Sequence, residues 1–136
     1  MYSIHQTYFL AEKRLEQRLR DAKGISFSQF LILLGLHCNS STSQSGIADF
    51  LYLTEATVSR HITALEKVKL LSRKEDPTNR RRHILTMTPK GVTVFTAAHT
   101  IIEHELKKVF SIIPEKDRSL ISKSFKDVID NLQHKL

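Results

Sequence analysis

Small hydroxyls grouped around one arginine are the first chemistry this sequence offers. Thr54, Ala56, Thr57, Ser59, Arg60, Thr63 and Lys67 lie close together in the stretch SQSGIADFLYLTEATVSRHITALEKVKLL, Ser43 to Leu71. On a helix, Ala56, Arg60, Thr63 and Lys67 share one face, with Thr57 and Ser59 on its flanks. The face is short, polar and basic, and it carries no acidic residue. A solvated helix more often mixes both charges there. Short hydroxyls around an arginine suit a helix that enters a groove and touches base edges. The opposite side repeats Val58, Ile62 and Leu65 at i, i+4 and i+7, a stripe that packs inward. An ordinary helical hairpin in a core would show that stripe too, so this helix alone leaves both readings open.

The elements needed to position this face are legible around it. Thr54 is the natural N-cap of the second helix and Ser43 that of the first, with Ile47, Ala48 and Leu51 facing its partner. Small Ala48 fits where two helices cross closely. Beyond them, RKEDPTNRRRHILTMT, Arg73 to Thr88, holds two extended runs around a Pro-Thr-Asn turn. Ile84 and Thr86 alternate with Leu85 and Met87 in the manner of a half-buried strand. Arg73, Lys74, Arg80, Arg81 and Arg82 crowd this hairpin, followed by His83. A helix-turn-helix followed by a basic-tipped hairpin is a winged helix. Its wing can lay arginines on phosphates or in the minor groove while the helix reads the major groove.

From Ser43 to Gly91 the sequence resembles the winged helix of the multiple-antibiotic-resistance regulator (MarR) family. The family's Leu-Ala pair is matched by Ile47-Ala48, and its Ser-x-x-Val-Ser-Arg-like recognition helix by Thr54 to Arg60. Leu65-Glu66-Lys67 with Leu70 to Arg73, Asp76 to Arg81, and Thr88 to Gly91 match the remaining motifs at preserved spacing. The flanking helical segments also fit, so the resemblance covers nearly the whole chain. Tyr52 and Lys69 stand where the family usually has Gly, which implies turns that are either strained, at about 1 kcal/mol for a left-handed residue other than Gly, or slightly reshaped. Thr78 replaces a common wing-tip Arg and moves the expected minor-groove contact to Arg80 or Arg81. By the same resemblance, Asp76 orients a wing arginine rather than touching DNA.

At 136 residues the chain has the length of one domain, large enough for a real core. Its formal charge of +7 favours a polyanionic partner, although a basic ribosomal or membrane-surface protein would share that balance. No apolar run approaches the roughly 20 residues of a membrane span. The start, MYSIHQTYFLAEKR, lacks the order of a signal peptide. One cysteine, Cys38, excludes an internal disulfide framework and fits a reducing cytoplasm.

Both ends of the chain carry apolar stripes. Residues 2–22 form an amphipathic helix with Ile4, Tyr8, Ala11, Leu15, Leu19 and Ala22 at helical spacing, ended by Gly24. SFSQFLILLGLH, Ser26 to His37, starts at a Ser cap and is apolar nearly all round, the mark of a buried helix. Asn39 to Thr42 is a polar loop. After Pro89, the residues Val92, Phe95, His99, Ile102, Leu106, Val109 and Ile113 form a coiled-coil seam, broken by Pro114. Leu120, Ile121, Phe125, Val128, Ile129 and Leu132 then line one side of a final helix. The expected fold is mainly α with a two-stranded β-wing. Residues 1–22 and 89–136 serve as dimerisation helices around a 26–88 winged-helix lobe, the alternative being helices folded back on their own domain.

Other constellations argue less. Cys38 ends an apolar helix with no Lys or Arg within four residues to activate it, so it reads as a buried structural residue. The family's sensor cysteines usually lie in the N-terminal helix, which has none here. Seven histidines include His99 one turn from Glu103, with His104 and His37 as further ligand types, but no Cys-x-x-Cys or His-x-x-x-His spacing supports zinc. The four glycines build no phosphate-cradling loop, and no Ser, His and acid are grouped for catalysis. His5, Tyr8, His37 and His99 can line an effector crevice of the kind the family uses, and serve equally well as core residues. The expectation is a cytoplasmic, homodimeric regulator, not an enzyme, with no cofactor or metal. It would bind pseudo-palindromic double-stranded DNA as a repressor, modulated by a small-molecule or redox effector, and would not act at a membrane. The alternatives are a metal-responsive regulator of the same fold, and a winged helix used only for protein interaction.

Overall fold

The computed structural model describes residues 2–38, 43–77 and 79–133, apart from the side chains of residues 80–82. The loop from Asn39 to Thr42 and the wing-tip residue Thr78 lie outside the described residues. Two compact units emerge, residues 1–102 and residues 103–136.

The first unit opens with α1 (Tyr2–Lys23), whose expected stripe is buried only in its second half, at Leu15 and Leu19. Ile4 and Tyr8, on the same stripe, stay more than half exposed. Gly24 ends the helix at φ +67, a left-handed backbone that a residue without Cβ adopts freely. α2 (Phe27–Cys38) starts from a capping box: Gln29 N–H donates to Ser26 Oγ (3.0 Å) and Ser26 N–H to Gln29 Oε1 (2.9 Å). Glu16 of α1 accepts the Phe27 N–H at 2.6 Å, which ties the two helices at this corner. Phe30, Ile32, Leu33 and Leu36 make α2 the centre of the core, and Phe30 stacks on Phe95 with centroids 5.6 Å apart.

Cys38 is exposed rather than buried. Leu36 is the last inward residue of α2, and two further steps of about 100° carry His37 and Cys38 round to solvent.

α3 (Gln44–Leu51) and α4 (Glu55–Lys67) form the helix-turn-helix, packed on α2 through Ile47, Ala48, Val58, Ile62 and Leu65. Tyr52 (φ 53) and Lys69 (φ 61) are both left-handed, so the turns are strained rather than reshaped. Each closes a Schellman motif: Leu53 N–H reaches Ala48 O (3.0 Å), and Leu70 N–H reaches Leu65 O (2.9 Å).

β1 (Leu71–Asp76) and β2 (Asn79–Met87) pair antiparallel from Leu71↔Met87 to Glu75↔His83. Leu85 is buried in β2, and Ser72 and Thr86 share a hydroxyl hydrogen bond of 3.0 Å across the ladder. α5 (Pro89–Phe110) follows. Phe95, Ala98 and Ile102 of its first part are buried, while Val92 and His99 are exposed, so this part of the expected seam packs on α2 within the unit.

The second unit holds the last turns of α5 and α6 (Glu115–Gln133), joined at Pro114. Arg118 Nε donates to Ile113 O at 3.0 Å across the bend. No described residue of α6 is buried. Phe110, Ile113, Ile121, Phe125 and Ile129 line an open apolar groove of about 580 Å³. No described helix is long and apolar enough to cross a membrane.

Candidate nucleic-acid interface

α4 begins where Thr54, in extended conformation, caps it. Its Oγ1 accepts the Thr57 N–H at 3.3 Å and donates to the Thr57 hydroxyl at 2.9 Å. Arg60 Nη2 in turn donates to Thr57 Oγ1 at 3.4 Å, so three residues of the exposed face are joined in one chain of hydrogen bonds. Ala56, Arg60, Thr63 and Lys67 are all exposed, Thr57 and Ser59 half-buried, and Val58, Ile62 and Leu65 have no exposed surface. Thr63 turns its hydroxyl back to Ser59 O (3.0 Å). A helix of 13 residues is about 20 Å long, enough to lie in a major groove about 12 Å wide.

The acids of α4 are kept off this face. Glu55 sits in the first turn, where the helix dipole favours it, and its carbonyl accepts from Gln44 Nε2 of α3 at 3.4 Å. Glu66 is paired with Arg73 of β1 at 3.1 Å, both side chains about two-thirds shielded or more. Arg73 therefore stands at the root of the wing as a brace to α4, and its Nε is buried without a hydrogen-bond partner. Lys74, next along β1, is exposed. Between the wing and the starts of α3 and α4 lies a cleft of about 330 Å³, lined by Gln44, Glu55, Arg73, Asn79 and His83.

At the wing tip the ladder is irregular. Glu75 pairs with His83, but the next residue, Asp76, pairs with Asn79, so Arg80, Arg81 and Arg82 fall inside the irregularity. Asp76 is buried beside them in sequence. The contacts of the three arginine side chains lie outside the described residues.

A helix-turn-helix with a basic, acid-free outer face and a wing carrying its own arginines is now in place. Residues 25–83 match the sequence model of the MarR family. This lobe of the chain resembles the MarR-family winged helix. Comparison with curated proteins gives no match. Among solved structures, the S. aureus MepR–DNA complex is 22% identical with TM-score 0.87, over 96% of this chain and 96% of that one. A mutant MarR from E. coli, complexed with operator DNA, is 16% identical with TM-score 0.84, over 93% and 91%. BpsR from Bordetella bronchiseptica, described through regulation of its DNA binding by 6-hydroxynicotinic acid, is 23% identical with TM-score 0.84, over 95% and 91%. The fold is thus the one seen in these MarR, MepR and BpsR structures.

Within this lobe the structure brings Ala56, Thr57, Ser59, Arg60, Thr63 and Lys67 onto one helix, with Thr54 as its N-cap. It separates Arg73 from the other wing cations by engaging it with Glu66. Sequence reasoning gave no role to Gln44, Thr88 or Lys90. Gln44 links the starts of the two motif helices. Thr88 and Lys90 reach the end of α4 from the start of α5. Only the Thr88 hydroxyl left a local signal, since Thr followed by Pro at a helix start is a capping pattern. Among the described residues, no three or more His, Cys, Asp or Glu side chains converge as a metal site.

Proposed function

We propose that the chain is a sequence-specific, double-stranded-DNA-binding transcription regulator that acts as a homodimer on a pseudo-palindromic operator. The observation that carries this reading is the outer face of α4, where Ala56, Arg60, Thr63 and Lys67 are exposed together with no acid among them. Arg60 reads a base edge, Thr54, Thr57 and Ser59 contact nearby phosphates or bases, and Lys67 reaches the backbone. Lys74, Arg80, Arg81 and Arg82 hold flanking backbone or minor groove from the wing. Asp76 orients one of the arginines, and Arg73 acts mainly on the set of the wing.

Two copies place their recognition helices in successive major grooves, so half-sites lie roughly 10 bp apart, centre to centre. Occupying that much duplex suits a repressor, which blocks what would otherwise bind there. The MepR and MarR structures named above are DNA complexes, and BpsR is described as regulated by a small molecule. A small-molecule or redox effector that changes the spacing of the two recognition helices completes the proposal. A cytoplasmic location follows from the target.

Selection of bound fragments from random DNA tests this directly. Enrichment of one inverted repeat, protected over both half-sites, is the expected result. Recovery of fragments with no common sequence would overturn it.

A further inference from the structure

The start of α5 is fastened to the end of α4. Thr88 Oγ1 donates to Lys69 O at 2.7 Å, with Leu70 O at 3.3 Å, and accepts the Gly91 N–H at 3.0 Å. Thr88 N–H donates to Leu70 O at 3.1 Å, and Lys90 Nζ donates to Val68 O at 3.0 Å. Three consecutive carbonyls of the turn leaving α4 are thus held by the first turn of α5. The approach is as close as backbone allows, because a Cβ on Gly91 would stand 1.9 Å from Leu70 O. Inside this grip sits Lys69, held left-handed without being glycine. An ammonium at the C-terminal end of α4 also suits the helix dipole.

Resting on the DNA-binding reading above, we infer that Thr88 and Lys90 are positioning residues for the recognition helix. They fix the far end of α4 and thereby the angle at which its outer face meets the duplex. The geometry makes that angle critical. Along a helix about 20 Å long, a pivot of about 3° at one end moves the other by about 1 Å. Hydrogen bonds to base edges span only a few tenths of an ångström in length, whereas flexible cations still reach phosphates after such a shift. Loosening the grip therefore costs discrimination between sequences before it costs affinity for DNA as such.

The test uses the full chain with Thr88→Val, which removes the hydroxyl at nearly constant shape, Thr88→Ser, which restores it, and Lys90→Met. Affinities are measured on the selected operator and on a random duplex of equal length at several salt concentrations, beside urea unfolding. Thr88→Val should lose about tenfold in the operator-to-random ratio, with random-duplex affinity nearly unchanged, and Thr88→Ser should recover it. Lys90→Met should lower the same ratio with no change in salt slope. If Thr88→Val is less stable yet keeps the full ratio, the grip is structural only and the inference fails. If Lys90→Met weakens both duplexes alike and lowers the slope by about one per protomer, Lys90 is a phosphate contact instead. Should Thr88→Val not fold, exposed Lys90 still decides the question by the same two readouts. A parent chain that shows no operator preference at all overturns the DNA reading itself, before any variant is compared.

Discussion

Arg60 is the residue on which base reading turns. It projects from the face opposite Val58, Ile62 and Leu65, and its hydrogen bond to Thr57, at 3.4 Å, is long enough to yield to a better acceptor. Arg60→Ala should cost about 1–3 kcal/mol on the operator and little on random DNA. Equal weakening on both duplexes in binding isotherms would show that the helix does not read bases through it. Lys69 offers a stability test free of DNA. Its left-handed backbone costs an L-residue roughly 1–2 kcal/mol, of which the extra chain entropy of glycine returns part. Lys69→Gly should therefore raise unfolding stability by about 0.5–1 kcal/mol in urea titration, whereas Lys69→Val should lower it.

At the scale of elements, what could be read from the sequence was whatever depends on local spacing. The capped start of α4 at Thr54, its inward stripe and the hairpin around Pro77 all follow from residues within a few positions of one another. Contacts made by the fold itself were not legible: the Arg73–Glu66 pair, the Gln44–Glu55 link and the grip of Thr88 and Lys90 on the turn after α4 join residues 7 to 22 positions apart. Cys38 shows the limit from the other side, because an apolar helix predicts burial but not at which turn the core ends. The wing supplies a prediction at this scale. Its arginines lie where the ladder loses register, and cations at a hairpin tip act on phosphates whatever the sequence. Arg80→Ala with Arg81→Ala should weaken operator and random duplex together, and lower the salt slope by about one for each phosphate that a protomer no longer neutralises. Weakening confined to the operator would assign these side chains to base reading.

At the scale of the whole molecule, the apolar surface left uncovered is what asks for a second copy. Tyr2, Ile4, Tyr8, Phe9 and Leu10 of α1 are each more than half exposed, as are Ile112, Leu120, Phe125, Val128, Ile129 and Leu132 around α6. Exposed apolar groups in such numbers, on two helices of one chain, support the homodimer proposed above. Deleting residues 115–136 removes five basic and four acidic residues, so net charge falls only from +7 to +6 and attraction to DNA is almost unaltered. No described residue of α6 belongs to the buried core, so the winged-helix lobe has no reason to unfold. What the deletion removes is the pairing of two recognition helices, and two linked sites commonly bind 10²–10⁴-fold more tightly than one. The shortened chain should scatter light as a monomer, or aggregate through its remaining α1 stripe, and should bind the operator about as weakly as a single half-site. A soluble, monomeric truncation with undiminished operator affinity would refute the dimer.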